Sequence, residues 1–156
     1  MFRTIITLAL LAGFTVIAAG CRSDSSVAHR DPIYADLGNS VIDLGTVDLS
    51  AQSAESAGLI MAFNGPKTYR FTAGVRARIR ASVIAGPGAR DIRADLWKGM
   101  GWGYVASFED WQPDWSLIYE QALDTGMYDI VVAPTDNTAG PITVRVEILE
   151  ILPGGP

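Results

Sequence analysis

The 156-residue chain contains one cysteine, Cys21, and one histidine, His29. A single cysteine excludes an internal disulfide, so packing alone must hold the core. A single histidine excludes zinc sites built on several imidazoles. His29 also lies in a polar stretch without periodicity, RSDSSVAHRDP. A general base has to be held in register with its substrate, and a spacer does not do that. Ser-His-Asp and Cys-His mechanisms drop out with it. Neither Gly86-Pro87-Gly88 nor the GMGWG run from Gly99 to Gly103 continues into a phosphate loop or a serine elbow. EF-hand spacing is missing too. Basic residues are the minority, 12 against 17 acidic, for a net charge of −5. That balance argues against a nucleic-acid partner.

What is present starts at the N-terminus. Arg3 gives a short positive start, and residues 5–19 form an apolar run broken only by Thr7, Gly13 and Thr15. Ala18, Ala19 and Gly20 then precede Cys21. A charged start, a short apolar middle and a small-residue end describe a secretory signal helix, residues 1–20. The run is short for a membrane span of about 20 residues. The stretch IAAGC resembles the lipobox of bacterial lipoproteins. That resemblance implies cleavage before Cys21, with a diacylglycerol thioether and an N-acyl group on it. Two or more acyl chains anchor stably where one does not. By analogy with enterobacterial sorting, Arg22 after the cysteine directs the chain to the outer membrane. Loss of Arg3 with the leader leaves eleven basic against seventeen acidic residues, a net charge of −6. Residues 21–41 read as a lipidated cysteine and flexible spacer, 42–152 as one domain, and 153–156 as a tail.

The domain is read from alternation. Val75, Ala77, Ile79, Ala81 and Val83 point one way, against Arg76, Arg78, Arg80 and Ser82. Period two marks a half-buried strand. Tyr69 and Phe71, Ile92 to Leu96, Tyr128 to Val132, and Ile142 to Ile148 repeat the pattern. Turn chemistry separates the runs: Asn64-Gly65-Pro66-Lys67, taken as a hairpin, then Gly86-Pro87-Gly88, Asp124-Thr125-Gly126, and Ala139-Gly140-Pro141. Residues 50–58 suggest a short helical turn or a loop. Short strands at this spacing, each with one polar face, predict an all-β, jelly-roll-like antiparallel sandwich.

The order TYRFTAG, RDIRADLW, YVASF, ALDTGMYDIVVAP and GPITVRVEI resembles the bacterial pre-peptidase C-terminal domain over residues 42–150. Asp95-Leu96-Trp97 and Gly126-Met127-Tyr128 are the best local matches. The resemblance implies a jelly-roll sandwich that serves as a non-catalytic accessory domain of secreted proteins, with calcium or collagen bound by some relatives.

Three clusters remain as candidate surfaces. Trp97, Trp102, Trp111 and Trp115 fall close together, with Tyr104 and Phe108 among them. Exposed indoles stack on sugar rings, whereas buried ones pack a long connection. Arg76, Arg78 and Arg80 share one strand face. Either acidic neighbours, with Glu147, Asp129, Asp91 and Asp95 as candidates, or an anionic partner must offset their repulsion. Glu109, Asp110 and Asp114, and Asp91 with Asp95, are the oxygen clusters a weak calcium site would draw on. No other cofactor is expected. The sequence therefore predicts a non-catalytic binding or structural module held at a membrane by lipid, with an envelope protein or a glycan as partner. A carbohydrate-binding lipoprotein using the Trp segment is the alternative, and an envelope enzyme the third reading.

Overall fold

The computed structural model describes residues 41–61, 65–89, 92–99, 103–108, 110–111, 115–134 and 138–154. The signal segment, Cys21 and His29 lie outside them, as do Asp91, Trp102, Glu109 and Asp114. Among the described residues every regular element is a strand: β1 Val41–Val47, β2 Ser53–Met61, β3 Lys67–Ala73, β4 Ala77–Ala85, β5 Ile92–Lys98, β6 Gly103–Ser107, β7 Asp110–Trp111, β8 Ser116–Leu123, β9 Gly126–Pro134 and β10 Ala139–Ile151. They form two five-stranded sheets. Sheet 1 runs β1-β3-β9-β5-β6 and sheet 2 runs β2-β10-β4-β8-β7.

The alternation predicted for these strands sets the inner faces. Tyr69, Phe71, Tyr128, Ile130, Val132, Ala94 and Leu96 come from sheet 1, and Ile79, Ala81, Val83, Ile142, Val144 and Val146 from sheet 2. Sheet 1 contributes the larger rings and sheet 2 many small side chains, so the layers interdigitate. Phe71 stacks on Tyr128 at 5.4 Å, and Phe108 on Tyr119 at 5.6 Å. The Tyr128 hydroxyl donates to the Asp124 carbonyl at 3.0 Å, which ties β9 back across the corner from β8. That bond gives the Gly126-Met127-Tyr128 motif a structural reason.

Three sequence expectations need correction. Residues 53–61 are a strand, neither helix nor loop. Their inward positions Ala54, Ser56 and Gly58 are too small to display a period, and pairing with β10 decides the conformation. The turn at residues 64–67 is no hairpin, because β2 pairs with β10 while β3 pairs with β1 and β9. It carries the chain from one sheet to the other. Because β1, β2 and β3 alternate between sheets, β1 returns beside β3 in parallel, the one exception to antiparallel pairing. Finally, Ala139-Gly140-Pro141 belongs to β10. Pro141 fits there because β4 has just ended. Its carbonyl accepts from the Gly86 N–H at 2.8 Å, and the donor that proline lacks is replaced by the Ala89 N–H on the Gly86 carbonyl at 3.1 Å. The turn after β4 lies so close to β10 that a Cβ on Gly88 would strike the Ala139 carbonyl, and one on Gly140 the Pro87 carbonyl.

Candidate functional site

The two outer faces differ. On sheet 1, one row crosses the strands as Asp43, Arg70, Asp129, Trp97 and Tyr104. Arg70 grips the fully buried Asp129 with both arms, Nε to Oδ1 at 2.8 Å and Nη2 to Oδ2 at 3.0 Å. The hydrogen bond to Asp129 holds the guanidinium pKa above its ordinary value. In the neighbouring row Asp95 is also fully buried and accepts from the Ser107 hydroxyl at 2.6 Å, which in turn bonds the Tyr104 hydroxyl at 3.1 Å. Trp97 packs with Val131 and Ala133, only 7% exposed, its ring edge-on to Tyr104 at 5.4 Å. This face is a second, smaller core.

Two expectations are corrected by it. Asp129 and Asp95 do not offset the Arg76–Arg80 face, because they sit on the other sheet with partners of their own. Trp97 offers no open ring to a sugar, since Val131, Ala133 and Tyr104 pack it to 7% exposure. Trp102 lies outside the described residues, and for Trp111 only the backbone in β7 is described.

The outer face of sheet 2 is open and divided in two. At one end a ladder of alternating charge crosses three strands. Arg78 meets Glu120 at 2.6 Å, Glu120 meets Arg80 at 3.0 Å, Arg80 meets Glu147 at 3.2 Å, and Glu147 meets Arg145 at 3.0 Å. The Glu120 hydrogen bond raises the Arg80 pKa. Arg76 stands apart, with Asp124 at 3.3 Å and the Pro153 carbonyl at 3.2 Å. Ion pairs thus offset most of the charge on the arginine face. Glu147 was visible in sequence as a partner. Glu120 was missed, although Leu117, Tyr119 and Leu123 alternate around it on β8.

The other end of the same face is apolar. Leu59 is 53% exposed and pairs across to Pro141; the next row sets Ala57, Thr143 and Ile84 side by side, with Ile84 38% exposed. Trp115 follows at the head of β8, 43% exposed, its carbonyl accepting from the Ala85 N–H at 2.9 Å. Its φ of 65° is a left-handed conformation that costs a bulky residue about 1 kcal/mol or more. Of the tryptophan cluster named from sequence, Trp115 is the half-exposed ring among the described residues. Ile84 had a legible signal: it occupies the outward phase set by Arg78, Arg80 and Ser82. Among the described residues no group of three His, Cys, Asp or Glu side chains could hold a metal ion. The side chains of Glu109, Asp110 and Asp114 are not described.

Against solved structures, the pre-peptidase C-terminal domain of a collagenase from Bacillus anthracis superposes with a TM-score of 0.56 and 17% identity, over 69% of this chain and 95% of that one. The chain has the fold of a pre-peptidase C-terminal domain. The periplasmic inhibitors of g-type lysozyme from Salmonella Typhimurium and Aeromonas hydrophila align over 70% of this chain and 99% of theirs, at 20% and 17% identity, with TM-scores of 0.43. No protein-family model matches the sequence, and no curated protein matches it. In that fold as it stands here, the Asp-Leu-Trp and Gly-x-Tyr strands, β5 and β9, lie side by side in sheet 1.

Proposed function

We infer that this chain is an exported lipoprotein, cut before Cys21, held by lipid at the outer membrane, and displaying a non-catalytic sandwich that binds an envelope protein. The observation that carries the binding role is the open apolar end of sheet 2, Leu59, Pro141 and Ile84, with the half-exposed Trp115 just before β8, on a molecule whose other outer face buries Asp95, Trp97 and Asp129. A solvent-facing apolar patch beside a paired charge ladder fits the core-and-rim pattern of a protein contact. The buried carboxylates support a non-catalytic reading, because Asp129 and Asp95 are bound to Arg70 and Ser107. The anchor reading rests on the leader and on Cys21, and the polar stretch after it reaches up to about 35 Å if extended.

Two experiments test these halves separately. Cys21→Ser should leave unprocessed precursor without lipid label; normal processing of that variant rejects the anchor. Pull-downs with the lipidated wild type and with Ile84→Glu should differ by the loss of an envelope partner; identical captures reject the patch as the binding surface. Trp115 favours a second reading, in which a glycan stacks on its half-exposed ring. Tryptophan emission should then shift on addition of cell-wall polysaccharide and stay still in Trp115→Leu.

A further inference from the structure

The sandwich has four edge strands, and three are blunted. β1 carries a bulge at Gly45, whose φ is 86° and whose N–H is taken by the Asp43 carboxylate at 2.8 Å. β6 is five residues long and is itself bulged at Val105, and β7 is two residues long. Bulges, charge and brevity are the usual protections of a sheet edge. β2 is neither short nor bulged, and its one charge is Glu55. It runs nine residues in unbroken register with β10, without proline or lysine.

Its hydrogen-bonding direction follows from neighbouring contacts. The Ile148 N–H donates to the Gln52 carbonyl at 2.8 Å, so Gln52 turns toward β10. In an antiparallel pair the direction alternates. Ala54, Ser56, Gly58 and Ile60 therefore face β10, and Ser53, Glu55, Ala57, Leu59 and Met61 direct their N–H and C=O groups away from the sheet. The Pro141–Gly86 bond independently fixes the same phase on β10. Among the described residues these outward groups meet no other backbone strand, and the Ala57 carbonyl is touched only by the neighbouring Ser56 hydroxyl at a long 3.5 Å.

We propose that β2 pairs with β2 of a second copy of this chain, antiparallel about a two-fold axis at Ala57, to make one continuous sheet. Only outward-directed residues can exchange bonds, so the register sets Ala57 opposite Ala57, Glu55 opposite Leu59, and Ser53 opposite Met61 of the other copy. This register keeps the only charge on the strand, Glu55, away from its own copy, whereas in-register parallel pairing would bring the two together. Small side chains at Ser53 and Ala57 leave the approach clear. The inference does not rest on the lipid anchor or on the partner proposed above.

Cross-linking in intact cells with the full chain tests it. Residues of a hydrogen-bonded antiparallel pair lie about 5.5 Å apart at Cα, within disulfide range. Ala57→Cys should form a disulfide-linked dimer well above both wild type and Ala122→Cys, an exposed control on β8. The double variant Glu55→Cys with Leu59→Cys should do the same, through the register alone. In detergent, Ala57→Pro should weaken dimer association about tenfold or more, because its lost N–H points away from β10, with the monomer still folded. Dimer bands no stronger than in the controls, or a cross-link from position 57 to a different protein, would overturn the proposal. Any wild-type band would come from Cys21 and bears on the anchor alone.

Discussion

Tyr69 reaches across the sandwich to Gly58. Its ring is fully buried, and its hydroxyl makes no hydrogen bond with a described group. A Cβ on Gly58 would lie 2.7 Å from that oxygen. Burying an unpaired hydroxyl costs about 1–3 kcal/mol. Tyr69→Phe should therefore raise stability by about 1 kcal/mol in urea unfolding. Gly58→Ala should be costly in the wild type and much cheaper in the Tyr69→Phe background; additive effects would show that the two groups do not meet. Arg70 presents the opposite case. Its removal strands a carboxylate that has no water around it, and Arg70→Met should cost about 3–5 kcal/mol. A loss under 1 kcal/mol would mean that Asp129 finds another partner. Neither pairing could be read from sequence. Alternation puts Arg70 and Asp129 on outward phases, but it cannot say that the outer side of sheet 1 is covered.

Among the elements, β4 was the most legible. Its period is clean, its end at Gly86-Pro87-Gly88 is marked, and its inward residues are all buried. β9 and the Ile142–Val146 stretch of β10 follow the same rule. β2 was illegible, because Ala54, Ser56 and Gly58 on its inner side are nearly as small as Ser53 and Ala57 outside. Period two needs a contrast in side-chain character, and this strand has little until Ile60. Strand order was out of reach for a related reason: a Gly-Pro turn looks alike whether it closes a hairpin or crosses between sheets. At this scale the charge ladder makes its own prediction. Glu120 is shared by Arg78 and Arg80. Glu120→Gln leaves two neighbouring cations facing each other, yet each exposed pair is worth only about 0–1 kcal/mol. The loss should be about 1 kcal/mol at low salt and shrink in 1 M salt, where the Debye length falls to about 3 Å. A loss indifferent to salt would place the role of Glu120 in packing.

The whole molecule buries tyrosines at several points of one core, and this ties its stability to alkaline pH. Burial raises the pKa of Tyr69, Tyr119 and Tyr128 above the ordinary 10.0, with desolvation the leading cause at each. In the unfolded chain these phenols lose protons first, so above pH 10 the unfolded state binds fewer protons than the folded one. Stability must then fall as pH rises. Below that range the contribution is complete, and it disappears as pH climbs through the raised folded values. The ion pairs do not share this window, because Arg70 and Arg80 are themselves shifted upward and remain charged. The melting temperature should stay level through neutral pH and drop beyond about pH 10, with phenolate absorbance appearing together with loss of structure. Tyr69→Phe should soften the drop, since its ring is the most completely enclosed of the three. If phenolate forms while the fold persists, the core admits water at these rings, and the closed sandwich described here is open on that side.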